Sequence, residues 1–104
     1  MPVFPLTLHK TYLEQGFFNV TVDYDRYVRQ TEGPVELVLL SEGKEQRVDA
    51  KVNRSANMNG TARIMGGTKL RDWFLNHFDV GTKLDVDFSS AEVRIQKADR
   101  KSVV

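Results

Sequence analysis

The sequence contains no cysteine, so neither a disulfide framework nor a thiolate metal site is possible. It has only two histidines, and no acid or second histidine stands at ligand spacing from either one. The first residues, 1–6, lack a basic lead and a long apolar run, so neither a secretory signal nor a membrane span is indicated. These absences favour a cytoplasmic protein that uses no metal or other cofactor and has no membrane partner.

Enzymatic chemistry has little support in the residues that remain. No serine lies in a nucleophile-elbow context. His9 falls on a predicted strand and His77 on the core side of a predicted helix, so both are expected to be structural. Asp85 and Asp87 share one strand face, where solubility or edge protection is the simpler role. We therefore expect a protein without catalytic residues.

The glycine-rich segment 66–69 contains only part of a nucleotide-binding loop, because the first glycine of that motif is missing. Glycines that open a helix can nevertheless leave free backbone N–H groups for one phosphate oxygen. An ordinary turn with a helix cap is the alternative interpretation of the same residues.

A chain of 104 residues is most simply one domain, and it can bury a core without covalent staples. Its net charge is only +1, but the charge is unevenly distributed. Residues 51–71 hold five of the fifteen Lys and Arg residues and none of the fourteen acids. A basic segment on a mildly acidic body is typical of a localised anion-binding face, although a solvated loop would look the same.

Alternation of apolar and polar residues predicts seven short strands. They lie at about residues 3–10, 17–22, 35–40, 46–53, 61–65, 83–88 and 92–97. Helical spacing predicts one helix from Asp23 to Gln30 and a second, clearer one that Thr68 caps and that presents Trp73 to the core. The fold class is therefore mainly β, a seven-stranded open barrel with two short helices at its ends.

The inward positions of these elements predict one core. Its expected members are Phe4, Leu6, Leu8, Phe18, Val20, Val22, Leu37, Val48, Val52, Ile64, Trp73, Phe74, Phe78, Leu84, Val86, Phe88, Val93 and Ile95. Residues 99–104 are expected to form a frayed tail.

Two polar segments are predicted to project as loops, one at residues 10–16 and one at 54–60. Arginine matches the edge of guanine, and asparagine or glutamine matches adenine, so Arg54, Asn57, Asn59 and Gln15 are candidates for reading bases. Turn formation is the simpler explanation for any single Asn, above all Asn59 before Gly60. The full predicted DNA-binding set is Lys10, Tyr12, Gln15, Asn19, Lys51, Asn53, Arg54, Asn57, Asn59, Thr61, Arg63, Lys69 and Arg71.

The order of elements, and the helix, glycine turn and strand of residues 70–88, resemble the B3-like pseudobarrel DNA-binding domains. These occur in plant B3 transcription factors and in the recognition domains of some bacterial restriction endonucleases. The resemblance implies an N-arm at about Lys10–Phe17 and a C-arm at about Asn53–Gly60 that grip the major groove. It also implies a role in a restriction or defence system, with a nuclease domain or partner chain. Thr82 departs from the family, which often has an acid after the glycine.

The leading hypothesis is therefore a sequence-specific, non-catalytic module for double-stranded DNA, with loops at about residues 10–19 and 53–63. A protein-interaction or self-assembly module is one alternative, because the glycine- and amide-rich stretch suits a peptide edge or a dimer. An RNA-binding barrel is another, and it would use exposed aromatics such as Tyr12 and Phe17 for stacking.

Overall fold

The structure is a computed structural model that describes residues 3–88 and 92–98. Along these residues the elements are β1 (Val3–Thr7), α1 (Lys10–Gln15), β2 (Phe17–Asn19), α2 (Val22–Asp25), β3 (Gly33–Ser41), β4 (Lys44–Asn53), β5 (Arg63–Met65), α3 (Gly67–His77), β6 (Lys83–Asp87) and β7 (Val93–Lys97). The predicted turn at 89–91 and the predicted tail at 99–104 lie outside the described residues.

The strands form one curled, open sheet in the order β1-β6-β7-β3-β4-β5-β2. Neighbouring strands are antiparallel, except for β3 and β7, which run parallel. The mainly β, seven-stranded half-barrel confirms the predicted fold class. The edge strand β1 contains Pro5, which has no N–H to donate and is therefore tolerated at an edge.

Period-two burial explains why these segments are strands. In β1 every second residue is buried, and the same alternation recurs along β4 from Val48 to Val52. The predicted core is buried with two exceptions. Val22 is 66% exposed because it begins α2 at the surface, and Phe78 is only partly buried.

The prediction of a loop at residues 10–16 is wrong, because α1 occupies most of it. Tyr12 and Leu13 are buried, and Gly16 ends the helix with a left-handed backbone whose N–H donates to the Tyr12 carbonyl. A six-residue helix buries too few positions to show a helical period in the sequence, and its stability comes from packing against α3. The described part of the chain therefore has three helices where the sequence predicted two.

The two helices that the sequence predicted begin at residues other than those predicted. The helix predicted for residues 23–30 is only four residues long, and Thr21, not Asp23, precedes its first turn. After it the chain turns, and the Arg29 guanidinium donates to the carbonyls of Thr31 and Pro34. Gly66, not Thr68, is the residue before α3, and no side chain caps that helix.

The backbone of Gly16, at the end of α1, lies close to the two glycines at the start of α3. The Gly16 carbonyl accepts hydrogen bonds from the backbone N–H groups of Gly66 and Gly67, at 2.9 and 3.1 Å. A Cβ atom on Gly16 would lie only 2.0 Å from the Gly67 carbonyl oxygen, and Gly16 has a φ of +73°. Space and backbone conformation therefore both require glycine at position 16.

Gly16→Ala should consequently destabilise the protein by more than the roughly 1–2 kcal/mol of a left-handed backbone alone, because its Cβ also clashes. Gly43→Ala is a matched control, since Gly43 has a φ of +74° with nothing within 4 Å of the added Cβ. Chemical denaturation should give a larger loss of unfolding free energy for Gly16→Ala. Equal losses for the two variants would show that the contact with Gly67 is not tight.

Candidate nucleic-acid interface

Three adjacent strands present polar side chains on the outward side of the sheet. Asn53 of β4, Arg63 of β5 and Asn19 of β2 stand in register across the sheet. These positions alternate with the buried Val52, Ile64 and Phe18, which places the three polar residues on the opposite side from the core. The next row consists of Lys51, Met65 and Phe17. Four predicted DNA-binding residues are thus brought together on one face, which we call the β4–β5–β2 face: Asn19, Lys51, Asn53 and Arg63.

Arg63 is held in place at the centre of this face. Its guanidinium carbon lies 4.3 Å from the centre of the Phe17 ring, within cation–π distance. Its Nε donates to Asn19 Oδ1 at 3.0 Å. A long, charged side chain is therefore fixed by a stacking contact and a hydrogen bond.

Loop 54–60, which lies in the connection between β4 and β5, is tied to the same face by amide side chains. Asn57 Nδ2 donates to Asn19 Oδ1 at 3.2 Å and to the Thr61 carbonyl at 3.1 Å. Asn59 Oδ1 accepts from Thr61 through its backbone N–H and its hydroxyl, at 3.2 and 2.8 Å. These two asparagines therefore shape the loop, as the turn interpretation of such residues anticipates.

Arg54 points inward and does not extend from the loop. Its Nη1 donates to both carboxylate oxygens of Asp25, at 2.9 and 2.8 Å, and its Nη2 donates to the Arg29 carbonyl at 2.7 Å. Nη1 also contacts the carbonyl of Gly60 at 3.2 Å. The Arg54 side chain is only 15% exposed, so its donors are committed to the protein and are not offered to a base edge.

Glu32 anchors the start of the same loop. Its Oε2 accepts from the backbone N–H groups of Arg54 and Ser55, at 2.7 and 3.1 Å, and from the Ser55 hydroxyl at 3.1 Å. Hydrogen bonds from the Arg54 and Ser55 donors hold the pKa of the Glu32 carboxyl below its usual value of 4.5. The sequence offered no signal for Glu32 or Asp25 as anchors, because both lie more than twenty residues before the loop.

Pairing removes part of the positive charge that the sequence concentrates in residues 51–71. Arg54 pairs with Asp25, and Arg71 contacts Asp72 at 3.2 Å. Lys51 and Lys69 are exposed and have no acidic partner within 3–88 and 92–98. Among the cationic groups of residues 51–71, Lys51, Arg63 and Lys69 are therefore left without an acidic partner in the described part of the chain.

The other half of the outward sheet surface is dominated by acids. Arg47 of β4 pairs there with Glu36, Glu45 and Glu92. The Arg47 guanidinium holds the pKa of the Glu92 carboxyl below its usual value, and Glu92 in turn raises the pKa of Arg47. Along the outward positions of β4, the paired group around Arg47 is followed by the exposed Asp49 and then by Lys51 and Asn53.

The first predicted arm contributes less than the sequence suggests. Tyr12 is 8% exposed, and its hydroxyl accepts from the Asn19 backbone N–H at 3.3 Å. Lys10 and Gln15 are exposed on α1, and Lys10 lies 3.9 Å from Glu14. The Gly66 and Gly67 N–H groups that could have held a phosphate already donate to the Gly16 carbonyl. Of the predicted DNA-binding residues on α1, Lys10 and Gln15 are thus exposed, whereas Tyr12 is buried.

A shallow groove of about 570 Å³ runs between loop 54–60 and the start of α2. It is lined by Asn19, Val22, Asn57, Met58 and Asn59, among others. Met58 at the tip of the loop is fully exposed, and Val22 is 66% exposed. Sequence reasoning missed Met58, because an apolar residue in a polar loop carries no periodic signal.

The two histidines considered for catalysis pack against aromatic rings. His77 packs against Trp73 and Phe78 on α3, and its Nδ1 is 4.0 Å from Glu42. His9 precedes α1 and packs edge-on against Tyr12. In residues 3–88 and 92–98 no group of three metal-ligating side chains could hold a metal ion, and no helix there is long and apolar enough to cross a membrane.

Comparisons with known proteins yield no match to this chain, whether among protein families, curated proteins or solved structures.

Arg54→Ala should remove the ion pair that anchors loop 54–60. The free energy of unfolding should fall by about 2–4 kcal/mol, because the largely buried Asp25 carboxylate is left without its cationic partner. Arg63→Ala, which removes no ion pair, should cost less than about 1 kcal/mol. Urea denaturation of both variants measures the difference. If the two arginines proved equally dispensable for stability, Arg54 would not be the anchor.

Replacement of Glu32 by Gln should lower the thermal midpoint at neutral pH. Because the pKa of Glu32 is depressed in the folded state, its contribution to stability is present above the unfolded value of 4.5 and is lost as pH falls through the folded value. The midpoints of wild type and Glu32→Gln should therefore differ at about pH 7 and converge as the pH falls below the folded-state pKa of Glu32. A difference that persists unchanged at acid pH would contradict this role.

Proposed function

We propose that the protein is a non-catalytic, sequence-specific double-stranded DNA-binding module. The observation that carries the proposal is the register of Asn19, Arg63 and Asn53 across three adjacent strands, with Lys51 in the next row. These side chains combine phosphate-binding cations with groups that pair with base edges. Three acids of the outward surface, Glu36, Glu45 and Glu92, are paired with Arg47 on the other half of the sheet.

The dimensions of the face support duplex DNA as the ligand. Neighbouring strands lie about 4.8 Å apart, so the paired β5 and β2 form a two-stranded ribbon. The major groove is about 12 Å wide and admits a two-stranded β-ribbon. The short β5 and β2, with their polar side chains outward, therefore match the groove in width and in chemistry.

The structure changes the parts that the two arms play in this proposal. Loop 54–60 is the more exposed arm, and Asp25 and Glu32 fix its first residue by accepting hydrogen bonds from Arg54. The other arm is the surface of α1, on which Lys10 and Gln15 are exposed beside Thr11 and Glu14. We therefore propose that the protein is a B3-like domain of the restriction type that acts with a nuclease domain or partner chain.

Single-stranded RNA is the less suitable ligand. An RNA platform uses exposed aromatic rings on which bases stack. Tyr12 is 8% and Phe17 7% exposed, and Arg63 lies over the Phe17 ring. The two aromatics expected to provide such a platform are therefore covered.

Binding to duplex DNA should weaken as salt rises, with a slope that counts phosphate contacts. Lys51→Ala and Lys69→Ala should each reduce that slope by about one, because each removes one cation that contacts a phosphate. Fluorescence anisotropy with a labelled duplex at several salt concentrations measures the slopes.

Lys44→Ala is the matched control. Lys44 lies on the same strand as Lys51 but seven residues away, roughly 24 Å along β4. It should leave both slope and affinity unchanged. Absence of duplex binding at low salt, or an equal effect of Lys44→Ala, would refute the proposed interface.

Self-association is a second candidate function, favoured by the groove beside loop 54–60. Met58 and Val22 leave apolar surface exposed at the edges of this groove. Sedimentation velocity at rising protein concentration, without DNA, would reveal a dimer. Met58→Ser should abolish such a dimer, and a monomer at all concentrations would exclude this candidate.

A further inference from the structure

Among the arginines of residues 3–88 and 92–98, Arg63 is the one with both terminal nitrogens available for a ligand. Neither Nη1 nor Nη2 of Arg63 has a hydrogen-bond partner within residues 3–88 and 92–98, although its Nε is bonded. The other described arginines each commit at least one terminal nitrogen to the protein. These are Arg26, Arg29, Arg47, Arg54, Arg71 and Arg94. The Arg63 guanidinium is thus fixed through Nε, while Nη1 and Nη2 remain available as donors.

The group that holds Arg63 is itself held. Asn19 Oδ1 accepts from Arg63 Nε at 3.0 Å and from Asn57 Nδ2 at 3.2 Å, so both of its lone pairs are used. Rotation of the Asn19 amide would break both hydrogen bonds. The backbone N–H of Asn19 is also bonded, to the Tyr12 hydroxyl. Asn19 therefore fixes the Arg63 fork relative to the sheet and to loop 54–60.

We propose, on the basis of the DNA-binding function above, that Arg63 reads a guanine in the major groove, with Asn19 and Phe17 as positioning residues. Two parallel N–H donors match the O6 and N7 acceptors that guanine presents there. A phosphate can accept the same pair of donors. The fixed orientation on the outward side of the central strand of the face favours the base, because flexible Lys51 and Lys69 suffice for phosphates.

The test begins with a selection of duplexes by the wild-type protein, followed by affinity measurements on the enriched site. Replacement of the contacted guanine by adenine should weaken wild-type binding by about 5- to 150-fold, the range of one bidentate contact. Arg63→Lys keeps the charge and loses the fork. It should bind both duplexes within about threefold of each other, and its salt slope should equal that of wild type.

A duplex with 7-deazaguanine at the same position removes only the N7 acceptor. Wild type should lose affinity for this duplex, whereas Arg63→Lys should not distinguish it from the guanine duplex. Asn19→Ala tests positioning: it should reduce the guanine preference at least threefold while leaving the salt slope unchanged. Circular dichroism and urea denaturation establish that both variants are folded.

The outcomes separate the two proposals. If wild type binds no duplex at low salt, the DNA-binding function is wrong and the guanine contact falls with it. If wild type binds and Arg63→Ala retains the guanine preference, the function stands and Arg63 is not the reader. If Arg63→Ala keeps that preference and also reduces the salt slope by about one, Arg63 contacts a phosphate and the guanine assignment is overturned.

Discussion

The ion pair between Asp25 and Arg54 is the constraint on which the candidate interface depends. Asp25 accepts from the Arg54 guanidinium and, through Oδ1, from the backbone N–H of Ala62 at 2.8 Å. One carboxylate on α2 thereby joins the end of β4 to the residue before β5. Because both ends of loop 54–60 are fastened at one point, its amide side chains meet β2, and the hydrogen bonds around Asn19 become possible.

This pair also redistributes the functional charge. In the sequence Arg54 stands in the middle of the basic segment, as prominent as Arg63. In the structure the charge of Arg54 is paired with Asp25. Arg63 remains on the outward surface, and its terminal nitrogens have no hydrogen-bond partner in residues 3–88 and 92–98. The proposed recognition surface therefore belongs to strands more than to loops. Side chains on paired strands are held more rigidly than those on a free loop, which favours precise reading of base edges.

Local patterns predicted most of the fold. Alternation along β1 and β4, and the apolar period around Trp73 in α3, survive because burial on one face repeats every two or 3.6 residues. The helix α1 was missed because its two buried residues, Tyr12 and Leu13, show no period over so short a segment. The candidate site was predictable as a composition, but its members were not ranked. In the sequence Arg54 and Arg63 are chemically equivalent. In the structure Asp25, almost thirty residues before Arg54, pairs with Arg54 and leaves Arg63 for the solvent side.

The sequence by itself determined the seven strands, the main helix, most of the core and the concentration of cations and amides in residues 51–71. Each of these follows from the spacing of residues along the chain. Only the tertiary structure decided which polar side chains face the protein and which face solvent. That choice depends on partners such as Asp25 and Glu32, which are remote in sequence and reach loop 54–60 only when the sheet has curled. Hydrogen bonds between distant residues leave no periodic trace, and therefore the site emerges only from the folded chain.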